Sequence, residues 1–340
     1  MLITRRTAVA GLSVMGLGLA SGAARAQLAE IEAAARKEGT VTWYTAHTDG
    51  ESAEQAGAAF TKLYPDIKCT VIRTTAQVAY QRLQQDIKNN SANCDVFSST
   101  DLGHDETLKA RGNLLKYTPI NLAGISPDYL GLDKDGYYHA TVAELCVLLA
   151  NNKHVTDAET PKVWKDLLAP RWKGQVAIGH PGFSGTVGTW VVVMRDLYGW
   201  KFFEDLERGK PQIGRSVNDS VTTLNSGERQ VAMGPVGLAK VSAARGNPIR
   251  ITYPTDGSVI VISPSAIMTN APHPNAAKLF MEFLCGPQHA EVMAAAGRAP
   301  VRPTSQGSGL PDGKILRPTT QQIVKGIPEV IEQWRDLFGN

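Results

Sequence analysis

The chain has 340 residues, of which 43% are hydrophobic and 20% charged, and its formal net charge is +3. This length and composition leave room for two α/β lobes with cores of their own and exclude extended disorder. The first 26 residues carry three Arg and no acid, so the remainder holds 35 − 3 = 32 basic and 32 acidic residues. This balance, without a basic run near aromatic residues, argues against a nucleic-acid partner.

The first 26 residues have the layout of a removable export signal. Arg5 and Arg6 precede an apolar run over residues 8–20, and Ala24-Arg25-Ala26 offers a small-x-small cleavage site before Gln27. The run is too short to span a bilayer, which favours a signal peptide over a membrane anchor. The paired Arg also fits a twin-arginine signal, and the general secretory route stays equally open. We therefore expect a periplasmic protein that begins near residue 27.

The four cysteines do not form a metal-binding or redox motif, because no two of them make a CxxC unit. Export would permit a disulfide, and strand-like surroundings suit buried free thiols equally well. We expect no cofactor. The cysteines are Cys69, Cys94, Cys146 and Cys285.

The first third of the chain alternates between helical and strand patterns. Apolar residues at helical spacing alternate with short β-branched or aromatic runs, and this order predicts a parallel sheet with helices on its faces. The predicted helices cover residues 28–37, 51–64, 80–87 and 101–110, and the predicted strands cover 40–44, 69–72 and 94–97.

The same alternation resumes later in the chain. Two extended, β-branched-rich segments, residues 138–149 and 253–262, are predicted to cross between two lobes. The predicted strands here are 174–178 and 230–233, and the predicted helices are 186–198, one starting at 202, 237–244 and 275–284.

Polar residues follow three of the predicted strands. In open parallel sheets, ligands bind beyond the carboxyl ends of the strands. Thr45 and His47 follow the first strand. Ser98, Ser99 and Thr100 follow the third, as ligand donors or as turn formers. His47 is compatible with a ligand contact, a metal ligand or a structural core histidine.

The clearest indication of a ligand site is the sequence Ser184-Gly185-Thr186, which follows the predicted strand at 174–178. These residues are predicted to open a helix, where free N–H groups and the helix dipole favour an anion. The alternative is that Ser184 only caps the helix. Gly185 would let the backbone approach a ligand closely. Asn218 lies in a polar turn before another predicted helix, as a ligand contact or as part of a cap.

Enzyme motifs are incomplete in this sequence. Residues 182–186 resemble the G-x-S-x-G nucleophile elbow, but Thr186 occupies the last Gly position. No triad partner is identifiable, and the chain has neither an H-E-x-x-H motif nor a P-loop. We expect a binding protein and not an enzyme. A hydrolase that uses Ser184 is the alternative from another functional class.

Several stretches resemble a known family. They cover most of the chain after residue 26, and the longest are the most specific in combination. They are residues 41–47, 95–97, 164–174, 184–186, 225–228 and 271–280. On these residues the chain resembles type II periplasmic solute-binding proteins of the ferric-iron-binding-like group, which serve ABC importers.

The resemblance implies an α/β fold of two doubly wound lobes joined by crossing strands, with the ligand between the lobes. The implied lobes are residues 27–140 plus 258–285, and residues 141–257 plus 286–340. It also implies a permease and an ATPase of the inner membrane as partners of a monomeric receptor. Lobe closure on the ligand would be the signal to the permease.

The resemblance leaves the ligand open. Iron-binding members hold the metal with a His that His47 matches, a Glu that falls near Thr100, and paired Tyr that fall near Val236 and Gly237. Hard Fe³⁺ needs several anionic oxygen ligands, and most are replaced here. Residues 184–186 match the stretch that holds an anion. We therefore expect no metal site but a small organic anion as ligand, phosphorylated or carboxylated. Iron held with an exogenous anion, or service to a membrane sensor, are the alternatives.

Overall fold

The computed structural model describes residues 10–305, 310 and 312–339. Within these ranges, helices and strands alternate through most of the chain. The helices are α1 (Ala10–Glu38), α2 (Gly50–Leu63), α3 (Ala76–Lys88), α4 (Leu102–Ala110), α5 (Gly185–Tyr198), α6 (Lys201–Arg208), α7 (Val217–Asn225), α8 (Val236–Ala244), α9 (Pro274–Leu284), α10 (Pro287–Ala295) and α11 (Thr320–Phe338). The strands are β1 (Thr40–Thr45), β2 (Lys68–Arg73), β3 (Val96–Ser98), β4 (Leu114–Leu115), β5 (Tyr138–Asn151), β6 (Val176–Gly179), β7 (Gln212–Gly214), β8 (Val231–Pro235), β9 (Ile249–Thr252), β10 (Ser258–Met268) and β11 (Ile315–Leu316).

The strands form one hydrogen-bonded sheet in the order β2-β1-β3-β10-β5-β8-β6-β7. Strands β1, β2 and β3 are mutually parallel, and so are β6, β7 and β8. Strands β5 and β10 run antiparallel to each other and link these two halves. We call β1–β3 with α2–α4 the first lobe, and β6–β8 with α5–α8 the second lobe. The predicted class, two doubly wound lobes joined by crossing strands, is confirmed.

The crossing strands differ in how well the sequence located them. All fourteen residues of β5 are buried, and this strand contains the extended, β-branched-rich segment at residues 138–149 that predicted the crossing. The second crossing was predicted at residues 253–262, but β10 starts at Ser258 and runs on to Met268. The cause is a turn in which the N–H of Gly257 donates to the carbonyl of Pro254 at 3.0 Å. Gly257 has φ +123°, a conformation that excludes strand pairing there.

Each lobe has an aromatic core. In the first lobe the ring of Phe280 lies 5.3 Å from Trp43 and 5.0 Å from Phe60, in edge-to-face contacts. In the second lobe the ring of Trp190 lies 5.6 Å from Trp164 and 5.7 Å from Phe203. The long family-like stretch at residues 164–174 therefore contributes to the core of the second lobe and not to a ligand site.

Several other elements depart from the sequence prediction. Helix α1 was expected to start near Leu28, but it begins at Ala10, so the predicted cleavage site after Ala26 lies inside it. Residues 1–9 of the predicted signal lie outside the described residues. Asn218 was expected in a turn, but it lies in the first turn of α7, because Ser216 supplies the cap. Helix α10 was not among the predicted helices, and it packs against α2 and α9. The exact lobe boundaries stay a prediction.

All four cysteines lie within the described ranges as free thiols. Three of them are buried, and Cys69 is half-buried. Burial raises the pKa of the Cys69 thiol to about 12, so it is a weak nucleophile. Among the described residues, no helix is both long and apolar enough to cross a membrane.

Candidate ligand-binding cleft

A polar cleft lies between the two lobes, beyond the carboxyl ends of β1, β2, β3 and β6. The cleft is narrow, with room for little more than a water molecule, and part of it is open to solvent. The lining residues are Ala46, His47, Thr48, Arg73, Thr75, Ala76, Thr100, Glu144, Phe183, Ser184, Thr186, Ser216, Val217, Asn218, Pro235 and Arg298.

Five of the nine candidate ligand residues line this cleft. They come from both lobes, which the parallel-sheet argument about strand ends anticipates. They are His47, Thr100, Ser184, Thr186 and Asn218.

Three of the other candidates are fully buried, and neighbouring groups occupy their hydroxyls. Thr45 Oγ1 accepts a hydrogen bond from the His47 N–H at 3.3 Å. Ser98 Oγ accepts from Trp43 Nε1 at 2.8 Å and bonds to Ser265 Oγ at 2.6 Å. Ser99 Oγ accepts from the Asp101 N–H at 3.0 Å. The structure places Thr45, Ser98 and Ser99 behind the cleft wall, where they fit the turn-forming interpretation.

Gly185 also does not line the cleft. A Cβ atom built on it would lie 2.5 Å from the Asp101 nitrogen and closer still to the Thr100 carbonyl group. The missing side chain of Gly185 lets α5 approach the backbone of the first lobe. A contact between Gly185 and the ligand stays a prediction. The helix starts too close to Thr100 for any ligand atom to lie between them.

Two helix N-termini converge on the cleft from the second lobe. Ser184 caps α5, and its Oγ accepts a hydrogen bond from the Val187 N–H at 3.4 Å. Ser216 caps α7 by accepting from the Asn218 N–H at 3.2 Å, and Asp219 completes the capping box by accepting from the Ser216 N–H at 2.9 Å. The remaining first-turn amides and the positive dipole ends make this wall attractive to anions.

Arg73 supplies a cation at the end of β2. Its Nε donates to the Thr48 carbonyl at 2.6 Å, which fixes the guanidinium plane. Burial lowers the pKa of Arg73, yet a guanidinium stays charged at neutral pH. Among the described residues no carboxylate forms an ion pair with it, and Asp49 and Asp219 act on its charge only from a longer distance. Its charge is therefore available to a ligand.

Arg298 contrasts with Arg73, because two acids neutralise it. Its Nη2 lies 2.9 Å from Asp49 Oδ2, and its Nη1 pairs with Glu144. Glu144 also accepts from the Gly237 N–H at 3.1 Å. Burial raises the pKa of Glu144, and the adjacent Arg298 opposes that shift. This group joins the crossing strand β5, helix α2 and helix α8.

His47 is neutral at physiological pH. Burial is the main cause that lowers its pKa to about 3. Its Nε2 lies 2.7 Å from the Pro264 carbonyl, an acceptor, so Nε2 carries the proton and donates. Nε2 is thus unavailable as a metal ligand, and the side chain is anchored to the crossing strand β10.

The positions of the family's iron ligands do not form a metal site here. A Cβ atom on Gly237 would lie 2.6 Å from Arg298 Cγ, so the Arg298 side chain occupies the space that a tyrosine would need. No group of three metal-ligating side chains was found among the described residues.

A Ser–His–Asp cluster follows β3, but it has no access to substrate. Ser99 Oγ lies 2.9 Å from His104 Nδ1, and His104 Nε2 lies 3.6 Å from Asp101 Oδ2. Ser99 is fully buried. Ser184, the nucleophile of the hydrolase alternative, binds the Val187 amide as a helix cap. Neither serine has the geometry of an activated nucleophile facing a substrate pocket.

Sequence reasoning missed the charged residues of the cleft. Arg73 directly follows the predicted strand at 69–72, so the strand-end rule would have found it had that strand been treated like the others. Glu144 is the single acid in a fourteen-residue buried strand, which is itself a signal. Arg298 has no such signal, because its position depends on the packing of Gly237 against it.

Two α/β lobes around a polar cleft, joined by crossing strands, define a type II periplasmic binding protein. The chain belongs to the bacterial extracellular solute-binding protein family, whose model matches residues 92–326. A curated relative, an uncharacterized protein from Haemophilus influenzae, is 30% identical over 129 residues, which span only 37% of this chain and 37% of the relative.

Solved structures share the fold over most of the chain. The periplasmic binding protein AfuA from Actinobacillus pleuropneumoniae, with exogenous fructose-6-phosphate bound, has TM-score 0.77 and 20% identity, covering 87% of this chain and 98% of AfuA. Iron-bound HitA from Pseudomonas aeruginosa has TM-score 0.72 and 20% identity, covering 88% and 99%. The substrate binding protein of the ABC transporter from Agrobacterium tumefaciens has TM-score 0.78 and 16% identity, covering 88% and 94%. At these identities the likeness shows the fold alone.

Proposed function

We propose that this protein is the periplasmic substrate-binding component of an ABC importer and captures a small organic anion in the inter-lobe cleft. The observation that carries the proposal is Arg73, whose charge has no acid partner within the described part of the chain, facing the N-termini of α5 and α7. Donors and positive potential from both lobes thus line the same cleft.

The chemistry of these groups favours a phosphate or carboxylate group on the ligand. A guanidinium presents parallel N–H donors to two oxygens of such a group, and helix amides add further donors. Ser184, Thr186 and Asn218 supply polar side chains on the opposite wall. AfuA, whose structure holds fructose-6-phosphate, offers a precedent in this fold for a phosphorylated ligand.

Iron uptake is the second candidate, because HitA has the same fold and was solved with iron bound. The electrostatics of this cleft argue against it. Arg73 brings to this space a positive charge that no ion-paired acid neutralises, and His47 uses Nε2 to hold the Pro264 carbonyl. An anion suits this charge arrangement better than Fe³⁺ does.

The cellular role follows from the family. We place the protein in the periplasm after removal of residues 1–26 by the secretory or the twin-arginine route. It would act there as a monomer that delivers its ligand to a permease in the inner membrane. Service to a membrane sensor would use the same cleft. Ser184 caps α5 and Ser99 is buried, and both observations support a binding role.

Native mass spectrometry of protein purified from the periplasm, without refolding, tests the ligand class. We expect a copurified organic anion in the wild type and its loss in Arg73→Met. Calorimetric titration of that anion should show an affinity about 10-fold to 150-fold weaker in the variant, the worth of one charged hydrogen bond.

Arg208→Met is the matched control, because Arg208 is an exposed arginine on α6 far from the cleft. It should bind like the wild type. Copurified iron, or unchanged affinity in Arg73→Met, would contradict the proposal.

A further inference from the structure

A close contact between the lobes is formed by a residue without a side chain. Gly185 is the first residue of α5 in the second lobe, and it lies directly against the Thr100–Asp101 peptide of the first lobe. A Cβ atom there would fall 2.5 Å from the Asp101 nitrogen, well inside van der Waals contact. The obstacle is backbone, so a change of side-chain rotamer cannot remove the clash.

The Thr100–Asp101 peptide is also unable to move aside cheaply. The Asp101 N–H donates to Ser99 Oγ at 3.0 Å, and Asp101 Oδ1 accepts from the Gly103 N–H at 2.9 Å as the cap of α4. A shift of this peptide would break both hydrogen bonds in a buried place. The lower-energy response to an added methyl group is rotation of one lobe away from the other.

The same face carries further contacts that exist only when the lobes are together. The Gln77 N–H of the first lobe donates to the Phe183 carbonyl of the second at 3.4 Å. At the outer rim, Arg245 Nη2 contacts both carboxylate oxygens of Glu51, at 2.6 and 2.7 Å. Separation at Gly185 would break the first contact, which lies only two residues away.

We propose that Gly185 is a positioning residue for lobe closure: the missing side chain permits the closed state, and any larger residue holds the cleft open. This inference goes beyond the proposed function, because it concerns how the lobes meet and not what lies between them. Affinity for any ligand that needs both lobes falls in proportion to the closed fraction. Gly185→Ala should therefore weaken binding without touching the ligand.

A disulfide trap tests closure without a ligand. The Gln77 N–H donates to the Phe183 carbonyl at 3.4 Å, so the two backbones lie next to each other across the lobes and offer positions for a disulfide. In the Gln77→Cys/Phe183→Cys background, copper-phenanthroline oxidation should cross-link the lobes, as followed by peptide mapping. Adding Gly185→Ala should slow cross-linking by about tenfold or more, if the closed fraction falls by that factor.

Gly50→Ala is the matched control, because Gly50 opens α2 and a Cβ atom there meets nothing within 4 Å. It should cross-link like the parent. Maleimide labelling of each single-cysteine variant shows whether the thiols are equally reactive in both backgrounds. Melting temperatures within a few degrees of the parent exclude a folding defect.

Equal cross-linking in the Gly185→Ala background, or none in the parent, would overturn the inference. A second variant, Gly185→Val, sharpens it, because a larger side chain should suppress the trap further. Since no ligand takes part, failure of the anion proposal would leave this result unchanged, and failure of the trap would leave the anion proposal standing.

Discussion

Two polar turns of this protein occupy equivalent places after parallel strands and differ in what they do. The β3 turn (residues 98–101) follows a strand of the first lobe, and the β6 turn (residues 180–186) follows a strand of the second. Hydrogen bonds inside the first lobe occupy Ser98 and Ser99, which are fully buried. Ser184 and Thr186 line the cleft. The two turns meet where Gly185 contacts Thr100.

The difference teaches that a polar strand end becomes a binding site only when its partners are missing. Trp43 Nε1 and His104 Nδ1 reach the serines of the β3 turn from neighbouring elements. In the β6 turn, only the cap bond of Ser184 occupies a hydroxyl, at 3.4 Å. Hydroxyls that satisfy buried donors stabilise the fold, whereas those at the cleft are available to a ligand.

Ser184→Asp should have the largest effect on the comparison. Asp caps helices as well as Ser does, so the melting temperature should not fall. Its carboxylate would occupy the anion subsite and repel the ligand, so binding of the copurified anion should be abolished in calorimetric titration. Thr319→Asp, the same exchange of a cap at the exposed start of α11, is the control and should bind normally. Normal binding by Ser184→Asp would mean that the α5 terminus is only a cap.

Thr186→Val should weaken binding without abolishing it. Valine keeps the shape of threonine and removes one hydroxyl donor to a charged group. We expect a loss of about 1.5–3 kcal/mol, which is about 10-fold to 150-fold in affinity. Thr189→Val is the matched control, because Thr189 is buried on the same helix and does not line the cleft. Equal losses in both variants would point to helix packing as the cause.

Ser98→Ala should lower stability and leave anion binding unchanged, the opposite of the two cleft variants. It removes the acceptor of Trp43 Nε1 in a fully buried place, which should cost about 1–3 kcal/mol of unfolding free energy. Affinity for the anion should stay within twofold. Urea unfolding and titration, with the exposed Ser226→Ala as control, measure both quantities. Weaker binding with unchanged stability would place Ser98 in the ligand site after all.

The sequence predicted the outline of both turns but not their difference. Strand ends and helix starts follow from local patterns, so Ser184 was correctly expected at the start of α5. Whether a hydroxyl is free depends on residues far along the chain. Ser265, which bonds to Ser98, lies 167 residues away in the chain, and no local sequence pattern can predict such a contact.

The cleft charges show the same limit. Arg73 was within reach of the strand-end rule, because it ends β2. The neutralisation of Arg298 by Asp49 and Glu144 joins three distant segments and could not be predicted from spacing. The family resemblance predicted that the paired Tyr of the iron-binding members are missing near Gly237. The structure adds a physical reason why a tyrosine would not fit there, which is the packing of Gly237 against Arg298.

The smallest expected effect is on the pH dependence of stability, through His104, which bonds to Ser99 of the β3 turn. His104 accepts from Ser99, and its Nε2 lies 3.2 Å from Gln77 Oε1, so it is held as a neutral ring. Burial lowers the pKa of His104 below 6.5, although the carboxylate of Asp101 opposes the shift. Below pH 6.5 the unfolded chain therefore binds a proton that the folded protein refuses, and stability falls as the pH falls.

His104→Gln should remove this pH dependence while keeping a donor and an acceptor in place. Between pH 6.5 and 5, the variant should lose less stability than the wild type, by at most one proton, or about 1.4 kcal/mol per pH unit. Burial also lowers the pKa of His47 and His289, so only the difference between the two urea-unfolding series isolates His104. Anion affinity at pH 7.5 should be unchanged, because His104 does not line the cleft. Parallel stability curves would show that His104 titrates alike in both states, and that the β3 turn is more open than its hydrogen bonds indicate.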